Sequence, residues 1–168
     1  AEFGIPGIDF QRYYKNQGGF RPPHEYRLNS AAVCSTHDSS FWVNWWQFEA
    51  GTIDENLFDM ACEKAGIHPG HVKYCKKILF DKKRSKHDRL YWNDDITSGQ
   101  LVAEILGVSQ DSIHSIIYAY AESYKEKEKF LNYLSYECDI NGISSDLVKK
   151  CMETVSYSNS IFSIQLLQ

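Results

Sequence analysis

The sequence has no CxxC pair, and its five cysteines (Cys34, Cys62, Cys75, Cys138 and Cys151) are widely spaced and odd in number. Such spacing signals neither a disulfide framework nor a cysteine zinc site, and it suits the reduced interior of a cell. No apolar run approaches the roughly 18 to 20 residues of a membrane span. The opening residues, AEFGIPG, lack the basic region and long apolar stretch of a secretion signal; residues 1–7 read as a cloning remnant and are set aside. Walker loop, dinucleotide fingerprint and paired-carboxylate motif are all missing, so no cofactor is implied and no enzyme is expected.

What is present is core-forming material and unevenly placed charge. Apolar residues make up 43% of the 168 positions and aromatics 14%, enough for one medium domain or two small ones. The net charge is −4, yet residues 69–89 hold eight basic side chains (Lys73, Lys76, Lys77, Lys82, Lys83, Arg84, Lys86 and Arg89) against Asp81 and Asp88. The molecule is therefore bipolar rather than mildly acidic.

Three regions follow from pattern. Residues 1–38, with Gly18-Gly19 and Pro22-Pro23, read as an irregular arm whose scattered Tyr and Phe pack along the domain. Residues 39–91 carry helical periodicity over about 40–50, 54–65 and 68–80, the first span rich in Trp42, Trp45 and Trp46. Thr52 or Asp54 is placed to cap the second, Gly66 to end it, and Pro69 to open the third. Residues 92–168 form a second helical unit, in which SIIYAYAESYKEKEKFLNYLSYE is one long helix or two abutting ones. The tail SYSNSIFSIQLLQ docks as strand or helix.

Three phrases align on a glycine: AGIHPGHVKYCKKI at Gly66, LGVSQDSIHSIIYA at Gly107 and NGISSDLVKKCMET at Gly142. Each glycine precedes an apolar residue (Ile67, Val108, Ile143) and, six positions on, another (Val72, Ile113, Val148). A helix stops where positive φ is needed, an apolar residue plugs the corner, and a second helix folds back. The expected fold is all-α, about seven helices in three successive helix-turn-helix corners, with a short basic hairpin or loop after the first.

The middle copy, TSGQLVAEILGVSQDSIHSII, resembles the helix-turn-helix family, with Ala103 at the helix contact and Gly107 in the turn. That resemblance implies that Gln110, Ser112 and His114 face base edges. The first copy resembles a homeodomain-like trihelical unit whose third helix is the basic segment. Double-stranded DNA is then the leading partner, with the eight basic residues above on phosphates and His68 and His71 on bases. This reading makes the chain a DNA-binding module of an intracellular, nuclear regulator. The alternative is a protein-interaction or oligomerisation module, because AGIHPGHVKYCKKIL also resembles the last helix of sterile-alpha-motif domains and a death-fold bundle would carry similarly opposed charges.

Remaining constellations read as structural. His68, His71 and Cys75 share a helix face like half a metal site, but Cys75 sits at a core position of the repeat, so no metal is expected. CSTHD, residues 34–38, gathers Cys, His and Asp, but near neighbours in a loop rarely supply catalytic geometry. One edge of the aromatic span, with Trp42 and Trp46, takes either the arm or a partner.

Overall fold

The computed structural model describes residues 7–13, 15–16 and 19–164. In chain order these form β1 (Gly7–Phe10), β2 (Lys15–Asn16), β3 (Gly19–Phe20), β4 (Ser30–Val33) and α1 (Trp42–Asn44), which continues as a π-helical stretch, Trp45–Glu49. Next come β5 (Thr52–Asp54), α2 (Glu55–Lys64), α3 (Pro69–Leu79), β6 (Arg89–Tyr91) and α4 (Gly99–Leu106). After a 3-10 turn (Gln110–Ile113) follow α5 (His114–Ser123), α6 (Glu126–Leu134), α7 (Ser145–Ser156) and β7 (Phe162–Ile164). The fold is mixed α/β, 49% helix and 15% strand, which corrects the all-α expectation. The chain divides into two compact units, one of Ala1–Gln47 with Lys127–Gln168 and one of Phe48–Glu126.

The first unit is built on a parallel sheet in the order β1-β4-β7. Gly7 to Phe10 pair with Ser30 to Val33, and Ala31 to Val33 pair with Phe162 to Ile164. Gly7, set aside on sequence, thus opens the sheet. A side chain there would meet the Arg27 guanidinium at 2.5–2.6 Å. Arg27 needs that space because it pairs with Asp9, a fully buried carboxylate in β1. Asp9 accepts from the Arg27 backbone N–H at 2.8 Å, its Nε at 2.8 Å and the Ser30 hydroxyl at 2.8 Å. Burial works to raise this carboxyl, but those hydrogen bonds outweigh it and hold it below its ordinary 3.8.

Helix α7 packs on β4 and β7, burying Leu147, Cys151 and Val155. The aromatic span closes the rest of this core. Trp42 stacks on Trp46 at 5.4 Å, while Phe130 of α6 meets Trp45 at 5.2 Å and Phe20 at 4.8 Å. Trp42 and Trp46 are buried, and Trp46 Nε1 donates to the Gly142 carbonyl at 2.9 Å. They are core rather than an open partner-binding edge.

The second unit keeps what the helical periodicity promised. Asp54 caps α2 by accepting from the Leu57 N–H at 2.9 Å, and His68 Nδ1 caps α3 by accepting from the Gly70 N–H at 3.1 Å. Its core runs from Phe58 and Cys62 through Leu79, Phe80 and Trp92 to Val102, Leu106, Ile113, Ile116 and Tyr120. The basic stretch after α3 folds as a hairpin, with Phe80 bridged to Trp92 and Lys86 to Arg89, and β6 pairs antiparallel with β5.

The three-corner repeat holds twice and fails once. Gly66 and Gly107 adopt positive φ (+74° and +71°), and the following N–H reaches back to the carbonyl five residues earlier, Ile67 to Cys62 and Val108 to Ala103. Gly142 has no such φ and lies in the loop before α7. The helix before the third phrase, α6, closes instead at Ser135 (φ +49°), where the Tyr136 N–H bonds to the Leu131 carbonyl. The tract joining the second and third phrases is two helices, broken at Lys125 (φ +52°).

Candidate active site

Ligands of parallel sheets gather outside the carboxyl ends of the strands, where the following loops present their side chains. In the first unit those loops are Gln11-Arg12-Tyr13 after β1 and Cys34 to Ser40 after β4. The second is shaped by a tight turn. The Ser39 N–H bonds to the Thr36 carbonyl at 3.2 Å, and the Ser39 hydroxyl both accepts from the Thr36 N–H and donates to the Thr36 carbonyl, each at 3.1 Å. His37 and Asp38 occupy the two central positions and so stand at the tip, 86% and 80% exposed, with Nε2 and Oδ2 3.1 Å apart. The turn therefore supplies the mutual geometry that adjacent loop residues usually lack.

Beneath this tip lies an unusual cation. Arg12 is fully buried, and among the described residues it meets a carbonyl and three rings rather than a carboxylate. Its Nη2 donates to the Ser40 carbonyl, two residues beyond Asp38, while Nε and Nη1 have no hydrogen-bond partner among the described residues. Three rings surround the guanidinium instead: Tyr13 at 5.0 Å, Phe10 at 5.5 Å and Trp45 at 5.6 Å from its carbon to their centres. Ring faces attract cations, which is how the group tolerates its burial.

The support of the sheet end is polar as well. Gln11 Nε2 donates to the Cys151 carbonyl at 3.1 Å, and Tyr26 and Tyr133 share a hydroxyl contact at 3.1 Å. Burial, joined by the neighbouring Tyr133, raises the Tyr26 phenol. Burial also pushes the Cys34 thiol up to about 12, against a smaller opposing pull from Arg12. A thiol so raised is neutral near pH 7 and is no nucleophile. Of Cys34, His37 and Asp38, the exposed imidazole and carboxylate are the groups able to meet a substrate.

The residues singled out from sequence as a nucleic-acid surface lie in the second unit, and several serve its fold. Lys76 binds Glu55 at 2.7 Å and Asp59 at 2.6 Å. Arg84 pairs with Asp81 at 2.8 Å and Asp94 at 2.9 Å and lies 4.2 Å over the Tyr91 ring. Arg89 donates to Thr52 Oγ1 at 2.8 Å. His71 Nε2 stands 3.4 Å from the buried Cys75 sulfur, and His68 is spent on its cap. Lys73, Lys77, Lys82, Lys83 and Lys86 are exposed on α3 and the hairpin, and Gln110, Ser112 and His114 are exposed around the 3-10 turn. Sequence reasoning gave no role to Arg12, counted Tyr13 only among the arm's packing aromatics, and discounted His37 and Asp38. The available signal was SAAVCSTHD read as a strand ending in a turn.

A family model described as 4-alpha-glucanotransferase, of a glycoside hydrolase family, matches residues 1–168. No curated protein and no solved structure matches the chain. The family match overturns the helix-turn-helix and homeodomain resemblance, the DNA-binding regulator with its interaction-module alternative, and double-stranded DNA as leading partner. It also overturns the exclusion of an enzyme.

Proposed function

The chain belongs to the 4-alpha-glucanotransferase family, and from that premise we propose that it takes part in passing an α-glucan segment from one glucan to the 4-hydroxyl of another, with Asp38 and His37 at the reacting sugar. Such a transfer breaks the glycosidic bond as the leaving 4-oxygen takes up a proton. Positive charge grows on the anomeric carbon and ring oxygen, and the acceptor 4-hydroxyl then adds and gives up its proton.

An anionic carboxylate beside that centre stabilises the charge where it develops, and its oxygens accept hydrogen bonds from sugar hydroxyls. Asp38 suits the role by its exposure and by the turn that fixes it. His37, 3.1 Å away, orients the carboxylate and offers a donor to the sugar. Glycosyl transfer runs on two carboxylates. The loops at 11–13 and 34–40 contain one, Asp38, so these two loops supply one member of the pair.

The observation that carries the reading is the placement of His37 and Asp38 at the tip of the turn following a parallel strand. Incubating the full-length protein with maltotriose tests it. The wild type is expected to yield glucose and longer maltooligosaccharides, and Asp38→Ala to lose about 10³-fold in rate with its melting temperature unchanged. A variant that transfers at the wild-type rate rejects the assignment.

A further inference from the structure

Tyr13 is 56% exposed although Arg12 and Phe10 both lie against it, the guanidinium carbon 5.0 Å from its ring centre and the Phe10 ring 4.7 Å away. Its backbone N–H is tied to the Phe10 carbonyl at 3.1 Å, in the turn that ends β1. The ring is thus held from behind and open in front. Arg12 also holds the Ser40 carbonyl, two residues from Asp38, so one buried side chain anchors both the Tyr13 ring and the loop of the candidate carboxylate.

We propose that Tyr13 is a stacking platform for a glucose ring of the α-1,4-linked substrate, and that Arg12 is the positioning residue that presets it beside Asp38. This rests on the reading of Asp38 given above. Glucose carries a face of C–H groups, weakly positive and apolar, that matches the negative face of an aromatic ring. A sugar laid on the ring buries apolar area without requiring a hydrogen bond, so the platform accepts glucose units all along a glucan. A ring already fixed costs little further entropy on binding. Arg12 itself, buried beneath the rings, does not touch the sugar.

The test compares Tyr13→Ala, Tyr13→Phe and Arg12→Lys in the full-length enzyme, with maltooligosaccharides of increasing length. Stacking acts alike on bound substrate and transition state, so Tyr13→Ala should raise KM about three- to tenfold with kcat within about twofold. Tyr13→Phe, which keeps the ring and loses only the hydroxyl, should stay within about twofold of wild type in both. Arg12→Lys keeps the charge but loses the planar fork that reaches Ser40, and its KM should move with that of Tyr13→Ala. Thermal melting confirms that the exposed Tyr13 variants are folded. A KM for Tyr13→Ala within about twofold of wild type at every chain length overturns the platform. Asp38→Asn, assayed alongside, separates the two failures. If it is inactive while Tyr13→Ala is unchanged, only the platform falls; if it transfers normally, the site falls and the platform with it.

Discussion

The two units solve burial in opposite ways. In the second, the interior is an apolar cluster, and its buried polar atoms find partners: Trp92 Nε1 donates to Ser123 Oγ at 2.7 Å, and the Tyr120 hydroxyl donates to the Ile96 carbonyl at 2.8 Å. In the first, Asp9, Gln11, Arg12 and Ser30 are all fully buried, and Gln11 Oε1, Arg12 Nε and Nη1, and Trp42 Nε1 have no hydrogen-bond partner among the described residues. Orphaned polar atoms of this kind are costly, and they concentrate where function demands them. Here Gln11 and Arg12 sit directly after β1, at the end of the sheet that carries Asp38. One unit is built for packing, and the other gives up hydrogen bonds at the carboxyl end of its sheet, where the proposed site lies.

The largest effect on stability is expected in the apolar unit. Leu106, 1% exposed at the end of α4, should cost about 3–4 kcal/mol as Leu106→Ala, through lost burial and the cavity left behind. Hydrogen exchange should show the loss of protection centred on α2 to α5; an effect below about 1 kcal/mol would mean that this core is loosely packed.

Arg27→Ala probes the polar unit. It strips the buried Asp9 of its cation, and because Arg27 is itself half exposed the cost should be about 2–3 kcal/mol, with exchange rising in β1 and β4. Because the folded state holds Asp9 below its ordinary 3.8, the stabilisation from its ionised form is complete above that value. It is lost as pH falls through the lower folded value. An acid titration of stability should therefore fall more steeply below about pH 4 for the wild type than for Asp9→Asn. Equal slopes would remove Asp9 from the account.

The smallest effects separate the true corners from the false one. Gly66→Ala and Gly107→Ala force a side chain into positive φ and should each cost about 1 kcal/mol. Gly142→Ala should stay within about 0.5 kcal/mol, since a Cβ there meets only ordinary contacts at 3.7–3.9 Å. Similar costs at all three would restore the threefold repeat.

The same contrast explains what could be read from sequence. In the second unit, α2 and α4 end at Gly66 and Gly107, and α2, α3 and α4 begin at Asp54, His68 and Ser98, so local chemistry marks them. The sheet has no such marks. GIDF buries its acid and exposes Ile8, the reverse of an apolar-in, polar-out strand, while SAAV is built of small residues and, mostly buried in the middle of the sheet, lacks the alternation that betrays a half-buried strand. β4 pairs with β7 across the whole second unit, a register that no local signal encodes. With β4 unseen, His37 and Asp38 were an unplaced pair in an arm. The burial of Arg12 has no sequence mark, because it follows from the rings that close on it.

The most direct test of where the chemistry lies is a paired rate measurement on the full-length enzyme, with maltooligosaccharide donor and acceptor both saturating. Asp38→Asn in the first unit is set against Lys77→Glu with Lys83→Glu, two exposed lysines of the second. Strand-end chemistry predicts that the first variant loses about 10³-fold in kcat while the charge-reversed one stays within about threefold. The reverse pattern, an active Asp38→Asn beside a silenced charge reversal, would contradict it.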